Sequence, residues 1–284
     1  MDIRVTPQAH LLEVRSPRLA PFRWPKAWLL SLLIHHDERR AERALRRNDR
    51  LWTLLQATAM GNPVTGVSYS DYVTLYDEVR RHKPCEILEC GTGLSTIVLA
   101  QALRENEADG HARGRITSME DDASWFENAK ARFPNELLPF VEFVLSPKQD
   151  AVFKCFRGVG YSEVPDRPYD FVFSDGPDRR SPVNGDKLFN TDLIDVIRRS
   201  KRPVRAIVDD HFLTCYVLQK ILGPENARYS ARRKLLFVGP VTKDDVGYLE
   251  RENFLPDLRL FGRTEFKLRM TRPAASDRGT RPPA

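Results

Sequence analysis

The chain is 284 residues long, carries 45 Lys and Arg against 39 Asp and Glu for a net charge of +6, and is 41% hydrophobic. That length and apolar content suit one buried core with terminal extensions and argue against a chain that is disordered throughout. The longest apolar stretch, residues 27–34, is far short of the roughly 20 residues of a membrane span, and no charged segment followed by an apolar run marks a secretory signal.

Residues 1–23 are rich in Pro and Arg and read as an extended arm. Helical spacing of Ala41, Ala44, Leu45, Trp52 and Leu55 predicts one long helix or two shorter ones over residues 25–59. Gly61-Asn62-Pro63 then breaks the pattern, and a helix over Ser70–His82 follows, with Ser68 or Ser70 as its cap. From Glu86 onward short apolar runs alternate with helical segments. Strands are predicted at Glu86–Glu89, Arg115–Met119, Val141–Leu145, Tyr169–Ser174 and Arg205–Val208. Helices are predicted at Ser95–Leu103, Ala123–Arg132, Asp192–Ser200 and Leu213–Leu222. Such alternation gives a mostly parallel sheet with right-handed crossovers. Tyr229–Arg232 and Lys234–Val238 read as a closing strand pair. Residues 241–270 are expected to hold a short helix and a strand over Leu258–Leu268, and Thr271–Ala284 to be disordered. The domain reading is therefore an arm and helical extension (1–65), a core (66–240), an extension of that core (241–270) and a tail (271–284).

Four strand ends carry the chemistry. The first runs Glu89-Cys90-Gly91-Thr92-Gly93-Leu94-Ser95, a strand ending in an acid that turns through two glycines into a helix. Glycines there remove side chains where a ligand nears the backbone, and the helix start offers free N–H groups. An acid at Glu89 attracts an ammonium and repels a pyrophosphate. Thr96 stands where a dinucleotide G-x-G-x-x-G motif places its last glycine. The second strand ends in Glu120, suited to accepting hydrogen bonds from ribose hydroxyls, with Asp121 and Asp122 placed to cap the next helix. The third ends in Asp175-Gly176-Pro177, and the fourth in Asp209-Asp210-His211. In an open α/β sheet these ends share one crevice.

Together these residues resemble the class I S-adenosylmethionine (SAM)-dependent methyltransferases, especially their small-molecule O-methyltransferase-like branch, over residues 70–240. The resemblance implies a Rossmann-like α/β fold, a mostly parallel sheet of about seven strands flanked by helices, here with an N-terminal helical extension. It implies SAM as cofactor, held by Glu89, Gly91, Gly93, Ser95 and Glu120, with Asp175 near the methionine end and the acceptor. The usual Pro-Gly-Gly before the fifth strand is replaced by Ser200-Lys-Arg-Pro-Val204, a change in a surface turn.

The implied reaction transfers a methyl group to a small-molecule or saccharide acceptor, at oxygen. His211 is the best base candidate, since its ordinary pKa lies near neutrality, with Asp175 and Asp209 as its catalytic partners. A metal-dependent variant would place magnesium on Asp175, Asp209 and Asp210, although the lysine that such enzymes carry after the first acid is missing here. Arg179 and Arg180 are placed to bind an anionic acceptor. The Pro-Pro-aromatic signature of nucleic-acid amino-methyltransferases is absent, so no nucleic-acid partner is expected. Two other readings stand beside this one: a non-catalytic SAM-binding scaffold, and a nicotinamide-dinucleotide-binding Rossmann enzyme. The N-terminal helices are candidates for core packing, a homodimer contact or a membrane-surface contact. Cys85, Cys90, Cys155 and Cys215 form no C-x-x-C pair, which fits a reducing cytoplasm.

Overall fold

The computed structural model describes residues 2–6, 11–15, 23–59, 68–247 and 265–269. Strands β1 (Asp2–Thr6) and β2 (Leu11–Arg15) pair antiparallel, and β13 (Glu265–Arg269) joins β2. The described residues of the amino-terminal arm are thus two paired strands. The breaker at 61–63 and the tail at 271–284 lie outside the described residues, as does the first half of the strand expected from Leu258.

The N-terminal helical region is two helices, α1 (Arg23–Arg47) and α2 (Asp49–Ala59), parted at Asn48. Its side-chain oxygen accepts the Leu51 N–H at 3.1 Å, which starts α2 as a cap would. The C-terminal half of α1 and all of α2 dock on the core through Ala41, Leu45, Leu51 and Leu55, all buried. Trp28, Leu29 and Leu32 on the N-terminal half are exposed. Helix α3 (Tyr69–His82) begins where the Ser68 hydroxyl accepts the Asp71 N–H, and it ends at Lys83 in the left-handed conformation.

The core alternates as the sequence predicts. Strand β3 (Glu86–Cys90) leads to α4 (Leu94–Ala108), β4 (Arg115–Glu120) to α5 (Ala123–Arg132), and a short 3-10 turn (Asn135–Phe140) to β5 (Val141–Leu145). An additional hairpin follows, β6 (Lys148–Phe153) and β7 (Phe156–Tyr161), before β8 (Phe171–Ser174). A two-residue strand β9 (Phe189–Asn190) pairs with β7 and leads into α6 (Asp192–Arg199). Then come β10 (Val204–Val208), α7 (Phe212–Leu222), β11 (Ala227–Ser230) and β12 (Leu235–Val241). Of residues 241–264, where a short helix is expected, those described show one 3-10 turn at Lys243–Asp245, and residues 248–264 lie outside the described residues.

The main sheet has seven strands in the order β11-β12-β10-β8-β3-β4-β5. The five from β10 to β5 are parallel, and β12 runs antiparallel to both of its neighbours. This is the Rossmann-like α/β architecture that the sequence implies. Central strands are covered on both faces, so β8 (Phe-Val-Phe-Ser) is buried at every position and reads as a continuous apolar run. Helix α4 is likewise buried along most of its length. The strand order reverses between β3 and β8. That is the switch point at which open α/β sheets form a crevice outside the carboxyl ends of their strands.

Candidate functional site

Pairing register brings the strand ends level. Cys90 stands opposite Ser174, and Ser174 opposite Val208. The next residue of each strand continues the ladder by one bond: Gly91 N–H donates to Met119 O at 2.9 Å, Asp175 N–H to Cys90 O at 2.9 Å and Asp209 N–H to Ser174 O at 3.0 Å. Gly91, Asp175 and Asp209 therefore emerge side by side. They border a crevice of about 560 Å³, walled also by Gly93, Ser95, Glu120, Trp125 and the start of α3. That volume lies within the roughly 300–1,000 Å³ of small-molecule sites.

The two glycines of the first turn do different work. Gly91 has φ +96°, and a Cβ there would lie 3.1 Å from the Gly176 nitrogen. A Cβ on Gly176 would in turn lie 2.9 Å from the Gly91 Cα. These glycines let two strand-end turns touch, so Gly91 makes room for protein backbone where the sequence suggested room for a ligand. Gly93 is extended, and a Cβ there would meet only the Ser95 hydroxyl, at 3.9 Å. The open space beside the helix start is at Gly93.

Glu89 is fully buried and does not line the crevice. Its carboxylate accepts the hydroxyls of Ser95 at 2.7 Å, Thr96 at 2.6 Å and Ser118 at 2.7 Å. Burial outweighs these three bonds and pushes its pKa up to about 7. Glu89 thus binds the start of α4 to β4, and Ser95 stands between it and the crevice.

Glu120 does face the crevice. One carboxylate oxygen accepts the N–H groups of Asp121 at 2.9 Å and Asp122 at 3.1 Å, and the other accepts that of Thr92 at 3.2 Å. Burial raises its pKa, against the pull of those donors. The three bonds fix the carboxylate at the turn after β3, and the second oxygen keeps capacity for a further donor. Asp122 caps α5 as expected, accepting the Trp125 N–H at 2.8 Å.

At the opposite end, Asp175 is half-exposed on the crevice floor, with His211 Nε2 3.5 Å from its Oδ1. Enclosure by the crevice walls, and then the adjacent Asp209 carboxylate, hold the Asp175 pKa well above the ordinary range. Asp175, Asp209 and His211 offer ligand atoms all within 4.8 Å of one another. Asp210 turns away and accepts the Tyr229 hydroxyl at 2.6 Å. Of the three acids that a metal-dependent variant would use, Asp175 and Asp209 come together beside His211, while Asp210 is held off by Tyr229 on β11. Arg179 and Arg180 do not line the crevice.

Residues 88–196 match the sequence model of a methyltransferase-domain family. This stretch is similar to methyltransferase domains. No curated protein matches the chain. Among solved structures, an O-methyltransferase from Bacillus cereus in complex with S-adenosylhomocysteine (SAH) is similar at 22% identity, over 56% of this chain and 64% of that one, with a TM-score of 0.37. The O-methyltransferase TomG from Streptomyces achromogenes, in complex with SAM, is similar at 20% identity over 62% and 69%, TM-score 0.38. Cofactor-bound Rv0187 from MTB is similar at 17% identity over 68% and 89%, TM-score 0.44. This chain spans less than two thirds of the Bacillus cereus enzyme's length.

Several residues of the crevice carry no motif. Tyr161, on the hairpin that the sequence reading lacks, accepts the Gly91 N–H at 3.1 Å and donates to Met119 O at 3.0 Å, propping the glycine turn. Trp125 donates its indole N–H to Thr92 O at 2.8 Å and walls the Glu120 end. Lys148 bridges Asp121 at 3.3 Å and Asp178 at 2.8 Å. Asp71 and Tyr72, on α3, border the Asp175 end. Burial, and then the nearby Asp209 carboxylate, push the Asp71 pKa up to about 7. Among the described residues, no helix is long and apolar enough to cross a membrane.

Proposed function

We propose that the chain is a SAM-dependent methyltransferase acting at a hydroxyl of a small-molecule or saccharide acceptor. The observation that carries this reading is the division of one crevice into two ends. Glu120 and the open Gly93 turn lie at one, and Asp175, Asp209 and His211 at the other. The residues present fit the cofactor. Glu120 would take the ribose hydroxyls, Trp125 would flank the adenine, and Gly93 leaves the space its backbone contacts need. Glu89 supports the cofactor through Ser95, as a positioning residue.

When bound, SAM supplies a methyl group on a positively charged sulfur, ready for in-line displacement. His211 would receive the acceptor's hydroxyl proton at Nε2, and Asp175, 3.5 Å from that same nitrogen, would accept a hydrogen bond from the resulting N–H. The cofactor would supply the methyl group for the new C–O bond, with SAH as the product that leaves. Walls built by Tyr72 and Phe173 at this end restrict water.

The test is methyl transfer from labelled SAM to a panel of phenols and sugars by the wild type and His211→Asn. Under this proposal kcat falls about 100-fold, as loss of a general base commonly costs 10²–10⁴, while SAH affinity is kept. An unchanged kcat removes His211 from the reaction.

A metal-assisted reading is favoured by one observation, the convergence of Asp175, Asp209 and His211. An imidazole beside two carboxylates suits manganese, iron or zinc better than magnesium. Turnover that is lost in EDTA and restored by manganese would establish it; turnover indifferent to EDTA would dismiss it.

A further inference from the structure

Of the eight large hydrophobic side chains that stand exposed among the described residues, four crowd into one stretch of α1: Trp28, Leu29, Leu32 and Leu33. A single exposed apolar residue needs no explanation, but a contiguous patch marks a contact surface. Core packing accounts only for the opposite face. The inward row of α1 runs Leu30, Ile34, Glu38, Ala41 and Leu45, half-buried at first and then buried, at the spacing of one helical face.

The outward row runs Leu29, Leu32, His36, Arg39, Arg43 and Arg47, exposed at every position. It is apolar at its start and basic toward its end, and none of the acids of α1 lies on it. Those acids are engaged elsewhere. Asp37 pairs with Arg232 on the turn between β11 and β12. Glu38 accepts the Ser68 hydroxyl at 3.0 Å, the Tyr69 N–H at 2.9 Å and the Ser70 N–H at 3.2 Å, all at the start of α3. Glu42 accepts Arg46 at 2.7 Å. The same bonds fasten α1 to α3 and to the β11–β12 turn, so the outward row is already folded before any partner arrives.

We propose that this row seats the protein on a bilayer surface rich in anionic phospholipid. Trp28, Leu29, Leu32 and Leu33 enter the boundary between headgroups and acyl chains, and Arg39, Arg43 and Arg47 meet the lipid phosphates. The helix lies in the interface and does not span it, since no described helix is long and apolar enough to cross a membrane. A second copy fits this face less well. Four side chains over about two helical turns fall far short of the roughly 800 Å² that each partner of a stable pair buries. Lengthening the contact along α1 would set arginine against arginine in a parallel pair, or against apolar side chains in an antiparallel one. A nucleic acid would meet the arginines and leave the apolar patch in water.

The test is flotation of the full chain with vesicles of phosphatidylcholine alone, or of phosphatidylcholine with an equal part of phosphatidylglycerol. Three proteins are compared: the wild type, Leu29→Ser with Leu32→Ser, and Arg39→Gln with Arg43→Gln. All four positions are exposed, so Tm should hold to within about 2 °C and show that both variants are folded. The wild type is expected to partition about tenfold more strongly onto the anionic vesicles than onto the neutral ones, and each variant to lose about tenfold on the anionic ones. The proposal is overturned by no partition onto anionic vesicles, by equal partition onto neutral ones, or by partition that survives either pair of substitutions. A wild-type dimer that the leucine substitutions dissolve, with no vesicle binding, would also overturn it and give the face to a second copy.

Discussion

Gly91 and Gly93 lie two residues apart in one motif, yet the structure assigns them separable costs. Replacing Gly91 by Ala puts a side chain on a residue at φ +96°, which costs an L-residue about 1–2 kcal/mol. It also drives a Cβ to 3.1 Å from the Gly176 nitrogen and 3.3 Å from the Asp175 carbonyl carbon, both backbone atoms that cannot swing aside. Together a loss of about 2–3 kcal/mol is expected. For a folded unit of this size that lowers Tm by roughly 4–12 °C, at about 2–4 °C per kcal/mol. Gly93→Ala meets neither obstacle, since its φ of −173° suits any residue and the nearest atom is 3.9 Å away. Its stability should hold or rise by about 0.4–1 kcal/mol, through a less flexible unfolded chain. The new methyl enters the crevice, however, so SAH affinity should fall about tenfold, or about 1.4 kcal/mol. Differential scanning calorimetry and titration with SAH on the two variants separate these effects. Equal losses of Tm, or a Gly93→Ala variant that binds SAH as well as the wild type, would refute this division of labour.

Three further outcomes follow from the same geometry. Glu89, Asp71 and Asp192 each have a folded pKa raised by burial to about 7, above the usual carboxylate range. Each favours the folded state most below about pH 4 and loses that contribution as pH rises to about 7, so Tm should fall between pH 5 and pH 8. Asp192→Asn, which keeps an oxygen for the Tyr161 N–H at 2.9 Å, should flatten part of that fall; an unchanged slope counts against the assignment. Tyr161→Phe removes a hydroxyl that bonds both Gly91 N–H and Met119 O; these two also bond each other at 2.9 Å, so neither is left unpaired and the expected loss is about 0.5–1.5 kcal/mol in a denaturant midpoint series. A midpoint shift below about 0.5 kcal/mol would show that Tyr161 does not prop the turn. Phe171→Ala, at a fully buried position of the central strand, should cost about 3–5 kcal/mol, and a milder loss would mean that β8 is not the centre of the core.

Much of this was legible in the sequence because strands and helices alternate with clear punctuation. The ends of β3, β4, β8 and β10 were each marked by an acid, and the structure brings all four to one edge of the sheet. The hairpin β6–β7 was not legible. Its turn passes through Lys154 at φ +54°, where no Asn-Gly or Asp-Gly pair announces it. Tyr161 and Lys148 were missed with it. Glu89 shows a second limit: a strand buried on both faces carries no alternation to say which way an end residue points. Asp210 shows a third, since its direction beyond β10 is set by Tyr229, 19 residues later on β11. Asp71 lay in a helix whose role at the crevice depends on Glu38, a contact across about thirty residues that spacing cannot reveal.

The central claim is that this crevice holds SAM by the ribose at Glu120. Calorimetric titration of the protein and of Glu120→Ala with SAH, with NAD as control, tests it most directly. The account predicts micromolar SAH binding, a loss of at least tenfold in Glu120→Ala, and no binding of NAD. Binding of NAD in place of SAH, or SAH affinity indifferent to the loss of Glu120, would contradict it.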